Sequence, residues 1–128
     1  MWIMVLNECL ILKENKILVL KNNNKWELPS IEVDDHEDAE FLLKKHMKDK
    51  LGISIDIIQI FNTYQILKNE KNVNVNIYEA SLLNGKIDSK EDGEVNFLSV
   101  EELNKSETSE TLKLVMDELW LIKKCLVK

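Results

Sequence analysis

The stretch from Trp26 to Ile53 constrains this chain most, because it sets one amphipathic helix between two extended segments. From Asp38 to Leu51 the apolar residues Ala39, Leu42, Leu43, Met47 and Leu51 recur at three-to-four spacing, the mark of a helix with a single buried stripe. Asp34, Asp35 or Asp38 is placed to cap its start, and Gly52 stops it. Upstream, Trp26-Glu27-Leu28-Pro29 reads as extended, since the residue before a proline is pushed away from helical geometry, and Ser30 to Glu37 reads as a loop. A helix with one stripe to bury needs a sheet beneath it.

The rest of the sequence supplies that sheet. Trp2 to Leu12 and Ile17 to Leu20 are apolar runs around the polar turn Lys13-Glu14-Asn15-Lys16, which predicts a β-hairpin. Asn22-Asn23-Asn24 breaks the pattern. Ile53 to Ile60 and Phe61 to Leu67 read as two strands, and Val73-Asn74-Val75-Asn76-Ile77 alternates with period two after the turn at Asn69-Glu70-Lys71-Asn72. Turns at Asn84-Gly85-Lys86 and Glu91-Asp92-Gly93-Glu94 bracket short extended pieces that end at Val95 to Val100. From Thr108 onward, Leu112, Val115, Met116, Leu119, Ile122 and Leu126 form one helical stripe. Strands interleaved with one central and one terminal helix predict a single α/β domain over residues 1–128, a mixed sheet covered on both faces.

Composition removes several function classes. The chain has 128 residues and is 45% hydrophobic, enough for one sizeable core. No apolar run approaches the roughly eighteen residues of a membrane span, and the apolar start Met1 to Leu6 lacks a basic flank and a cleavage site, so a cytoplasmic protein is expected. A net charge of −6 argues against a nucleic-acid polymer as partner. Cys9 and Cys125 lack metal-ligand spacing and read as buried thiols. All 17 basic residues are lysine, so a phosphate must be held by ammonium groups, backbone N–H groups or a metal.

The same central stretch resembles the Nudix box, G-x5-E-x7-R-E-U-x-E-E-x-G-U with U aliphatic, often preceded by W-x-x-P-G-G. Counting back from Gly52-Ile53, the two adjacent glutamates fall on Asp49 and Lys50, the Arg-Glu pair on Lys45 and His46, and the aliphatic position on Met47. The earlier glutamate falls on Glu37 and the first glycine on Ile31, with Trp26 and Pro29 in the lead-in. Glu94 to Leu103 is similar to the segment that closes the family's sheet. The resemblance implies a Nudix-type α/β/α sandwich with a central box helix and a C-terminal helix. It also implies a hydrolase of nucleoside diphosphate-linked compounds that uses Mg²⁺ or Mn²⁺.

The departures from the box bear on chemistry. Anionic phosphoanhydrides resist attack at neutral pH, and a hard divalent cation both neutralises charge and activates a water, provided that oxygen ligands hold it. Helix positions i, i+3 and i+4 share a face, and the family's three carboxylates there correspond to His46, Asp49 and Lys50. Only Asp49 is a carboxylate. An ammonium about 4 Å from a metal charge is repelled by several kcal/mol at an effective dielectric of about 20, so Lys50 opposes metal binding.

The resemblance therefore implies Glu37 and Asp49 as metal-holding carboxylates, with His46 as a further ligand and Lys45 orienting a carboxylate or phosphate. Trp26 serves either packing or base stacking, and Glu91 and Glu94 lie where some relatives carry an additional acid. A solvated amphipathic helix is the alternative for the charged face, and surface exposure the alternative for His46 and His36. Three expectations follow: a hydrolase with an eroded metal site and weak Mg²⁺-dependent activity, a non-catalytic nucleotide-binding or regulatory domain that kept the pocket and lost the metal site, or a homodimeric interaction module using the terminal helix. The breadth of the C-terminal stripe, where Trp120, Leu121 and Val127 add apolar surface, predicts a homodimer through that helix.

Overall fold

A computed structural model of the chain describes residues 4–34, 37–85 and 94–126, with side chains as far as Leu121. The hairpin forms first in sequence: β1 (Met4–Lys13) and β2 (Lys16–Asn22) pair antiparallel, with Leu12 opposite Ile17. Its turn places Glu14 and Asn15 at φ 52° and 64°, the left-handed pair that matches strand twist in a tight hairpin. Asn23 and Asn24 repeat this geometry between β2 and β3 (Lys25–Glu27). Asparagine tolerates that region better than most residues, so the polar breaks at these turns are conformational signals.

The expected loop after Pro29 contains a strand. β4 (Ser30–Glu32) pairs antiparallel with β1, setting Ser30 opposite Glu8 and Ile31 opposite Asn7. Three residues held by backbone hydrogen bonds carry too little side-chain pattern to distinguish a strand from a loop. The helix α1 (Ala39–Leu51) then follows the expected span, with the Asp38 side chain accepting from the Phe41 backbone N–H at 3.2 Å. Gly52 ends it at φ 71°, its own N–H directed at the carbonyls of Lys48 and Met47. Leu43, Met47 and Leu51 are buried while Leu42 is half-buried, so the stripe faces one position further along than Leu42 suggested.

The two strands expected between Ile53 and Leu67 are one, β5 (Ser54–Lys68), paired antiparallel with β6 (Lys71–Asn84). Register shifts between Ile57 and Gln59 and between Ile60 and Asn62 insert extra residues, and each one resets which side chains face which layer. β6 runs parallel to β1, pairing Glu8 with Ile77 and Ile11 with Ala80, so the seven-stranded sheet is mixed. Its order is β3-β2-β1-β6-β5, with β4 on β1 and β7 (Val95–Ser99) on β2. A short helix α2 (Val100–Asn104), started by a Ser99–Glu102 capping box, and the long α3 (Glu110–Leu126) complete the described elements.

Alternation along β1 and β2 divides the core. Cys9, Ile11 and Leu18 join Leu43, Met47 and Leu51 under α1. Leu10, Ile17 and Val19 join Leu112, Val115 and Met116 under α3. The sheet is thus covered on both faces, the α/β/α arrangement that the sequence predicts. Among the described residues no helix is long and apolar enough to cross a membrane.

Candidate functional site

Burying Leu43, Met47 and Leu51 fixes the roll of α1 and determines what its other faces present. Lys45, Asp49 and Lys50 are exposed, and His46 is half-buried beside the buried stripe. The helical geometry sets His46, Asp49 and Lys50 along one flank, neighbours roughly 5–6 Å apart at Cβ. Tyr78 on β6 feels the charge at the start of the helix: burial raises its hydroxyl above its ordinary range, and the carboxylates of Glu40 and Asp38 push it further.

Glu37 is not on the helix. It closes a turn in which its backbone N–H donates to the Asp34 carbonyl at 3.0 Å and its Oε1 accepts from the Asp34 N–H at 3.2 Å. Glu94 is exposed, and its carbonyl accepts from the Lys21 N–H at 2.9 Å, which ties this end of the loop to β2. Glu91, like Asp35 and His36, lies outside the described residues. Trp26 is 7% exposed and belongs to the core under α3. Its backbone N–H donates to Glu107 at 2.9 Å, its carbonyl accepts from Ser109 at 2.9 Å, and the Lys21 ammonium stands 5.4 Å from its ring centroid. Packing is what the structure shows for this indole.

Sequence reasoning passed over Glu8. It sits in β1 between buried residues, is 6% exposed, and its Oε1 has no hydrogen-bond partner. Burial pushes its carboxyl up to about 8, and nearby Glu27 raises it further, while a hydrogen bond with the Ser30 side chain and the charge of Lys68 act the other way. The available signal was one acidic residue, next to Asn7, between the apolar pieces Val5-Leu6 and Cys9 to Leu12. On β5, Asn62 and the Tyr64 hydroxyl both donate to Glu118 Oε1 from α3, the latter at 2.8 Å.

No protein-family model and no curated protein sequence matches the chain. Solved structures do. The E. coli ORF135 protein superposes with TM-score 0.80 at 14% identity, over 96% of this chain and 92% of that one. A MutT NUDIX hydrolase from Burkholderia pseudomallei gives 0.80 at 17% identity, over 91% and 98%. The chain has the Nudix fold. The MutT protein of Methanosarcina mazei Go1 agrees, with TM-score 0.75 at 18% identity over 94% of each chain. α1 and its Gly52 stop lie at the place in the chain where the sequence resemblance put the box helix and its closing glycine.

The flank of α1 that carries His46, Asp49 and Lys50 offers one carboxylate to a cation. Among the described residues no three His, Cys, Asp or Glu side chains come together as a metal-holding group. Glu37 uses one carboxylate oxygen to hold its own turn, and Asp49 shares its flank with the half-buried His46 and the ammonium of Lys50. The two carboxylates stand at opposite ends of α1, on the order of 15 Å apart by helical rise, and the Lys50 ammonium stands next to Asp49 in the chain.

Proposed function

We propose that the chain is a Nudix-type protein of the cytoplasm that binds a nucleoside diphosphate-linked compound and hydrolyses its phosphoanhydride weakly with Mg²⁺ or Mn²⁺. One observation carries this reading: a fold shared along nearly the whole chain with Nudix hydrolases, whose box helix here carries Asp49 between His46 and Lys50. Lys45 and Lys50 place two ammonium groups on exposed positions of that helix, suited to a phosphate and unsuited to a metal ion. Asp49 is the carboxylate of that flank available to a cation, with His46 as a nitrogen donor; Glu37, just before the first turn of α1, stands too far along the helix to share that ion.

The exposed lysines also favour a second reading, in which the pocket is kept for recognition and no metal is used. Calorimetric titration with Mn²⁺, alone and with ADP-ribose or nucleoside triphosphates, separates the two. Weak metal binding strengthened by nucleotide, with slow turnover, supports the hydrolase; nucleotide binding indifferent to Mn²⁺ supports a regulatory domain. No nucleotide binding at all refutes both.

Trp120 and Leu121, each 55% exposed on α3, support a homodimer through that helix.

A further inference from the structure

Glu8 occupies a place that the fold does not require to be acidic. Strand alternation directs it to the α3 face with Leu6 and Leu10, between Ser30 on β4 and Ile77 on β6. Its Oε1 is buried without a partner, an arrangement less stable than an apolar side chain of similar size would give. Buried polar groups in folded proteins are hydrogen-bonded in the great majority of cases, and an exception points to a functional role or to a partner that the chain itself does not supply.

β4 is only three residues long and, among the described strands, pairs with β1 alone, so Glu8 lies one strand in from a free edge. Ser30 and Glu27 beside it are half-buried, and Glu32 further along the edge is exposed. β4 also presents its two faces to different layers: Ile31 packs with the core under α1, and Ser30 faces the side of Glu8. Glu8 and α1 lie on opposite faces of the sheet, so a molecule that reaches both must pass around this edge.

We propose that the Glu8 carboxyl, with Ser30 beside it, reads the base of the bound nucleotide derivative by pairing with the amidine edge of cytosine or adenine. This rests on the nucleotide-binding reading above. With its carboxyl pushed up to about 8 by burial and by Glu27, and only partly offset by the Ser30 hydrogen bond and by Lys68, Glu8 is mainly protonated at neutral pH. It then offers one O–H donor and one C=O acceptor. A ring nitrogen takes the first and the neighbouring amino group gives to the second. The paired N–H donors of guanine would need the ionised carboxylate, which this site disfavours.

The test is calorimetry of wild type, Glu8→Gln and Glu8→Leu with CTP, ATP, UTP, GTP and inorganic pyrophosphate, at about pH 6.5 and about pH 9.5. Glutamine keeps a donor and an acceptor without titrating; leucine has neither. For CTP or ATP, Glu8→Leu is expected to bind at least about tenfold more weakly and Glu8→Gln to stay near wild type, with pyrophosphate unchanged in all three. Wild-type affinity should fall at the higher pH while that of Glu8→Gln should not.

Unchanged base preference in Glu8→Leu, a wild-type preference for UTP or GTP, or equal pH profiles for wild type and Glu8→Gln would overturn the assignment while leaving nucleotide binding in place. The pH comparison needs no apolar variant to fold. A wild type that binds none of the nucleotides overturns the nucleotide reading itself and this inference with it.

Discussion

The carbonyl oxygen of Gly52 lies 2.5 Å from where a Cβ on Gly85 would stand, and the Cα of Ile53 lies 3.0 Å from the same point. The end of the box helix and the end of β6 therefore meet backbone to backbone. Gly85 also has φ 105°, a conformation that an L side chain rarely adopts. Gly85→Ala is expected to destabilise the fold by about 2–4 kcal/mol, because neither the backbone oxygen nor the strain can be relieved by a rotamer change. Gly52→Ala, at a left-handed helix cap with φ 71°, should cost about 1 kcal/mol. Urea denaturation of both variants checks the ranking, and a larger loss for Gly52→Ala would show that the contact yields easily.

Glu8 gives the stability of the protein a pH dependence with a definite sign. Its carboxyl titrates near its ordinary value, 4.5, in the unfolded chain and at about 8 in the folded one. Between these values the unfolded chain releases the proton and the folded chain keeps it, so the stability present below pH 4.5 is lost as pH rises toward 8. Glu8→Gln removes the titration. The variant should exceed wild type by on the order of 2–4 kcal/mol near pH 8, and the gain should shrink to almost nothing near pH 4.5. Thermal melts at the two ends of this window decide it: an equal difference at both would mean that Glu8 is not responsible.

The contrast between Glu8 and the box shows what single-sequence reading captures. Leu43, Met47 and Leu51, the cap at Asp38 and the stop at Gly52 are periodic or positional features, and the helix was legible from them. The hairpin was legible because paired polar residues such as Glu14-Asn15 adopt the left-handed geometry that tight turns require. β5 was misread as two strands because the register shifts beyond Ile57 and Ile60 break period two without ending the strand. β4 exists through pairing with β1, which leaves almost no local trace. Glu8 was missed for a related reason: an acid in an apolar strand becomes informative only when its cross-strand neighbours, Ser30 and Ile77, are known.

The C-terminal helix offers a test of assembly. Trp120 and Leu121 are each 55% exposed, and large aromatic side chains dominate the energetics of interfaces they enter. Sedimentation equilibrium should find a dimer of the 15.0 kDa chain, and replacing both residues by alanine should weaken association by about 2 kcal/mol or more. A wild-type monomer at high concentration, or a dimer indifferent to the double change, would remove this helix as the interface.

If α1 is an eroded box, as proposed above, its metal site can be repaired. Lys50 is exposed near the end of α1, and Lys50→Glu exchanges a positive for a negative charge one residue from Asp49. His46→Glu adds a hard oxygen donor four residues earlier on the same flank. Because His46 is half-buried, this second change alters packing as well as charge, so the single variants are needed beside the double one. The Lys50→Glu protein should bind Mn²⁺ more tightly than wild type by roughly tenfold, the consequence of removing repulsion worth a kcal/mol or more at an exposed position. The double variant should bind it more tightly still and hydrolyse nucleoside diphosphate derivatives faster. Stability should change by less than about 1 kcal/mol in Lys50→Glu, since the position is outside the buried stripe. Metal titrations followed by turnover on one panel of nucleoside diphosphate derivatives provide the comparison. Vigorous wild-type hydrolysis in Mg²⁺ that the double change reduces would mean that His46 and Lys50 belong to a working catalytic arrangement of a different kind, and that the box is rebuilt where it looks eroded.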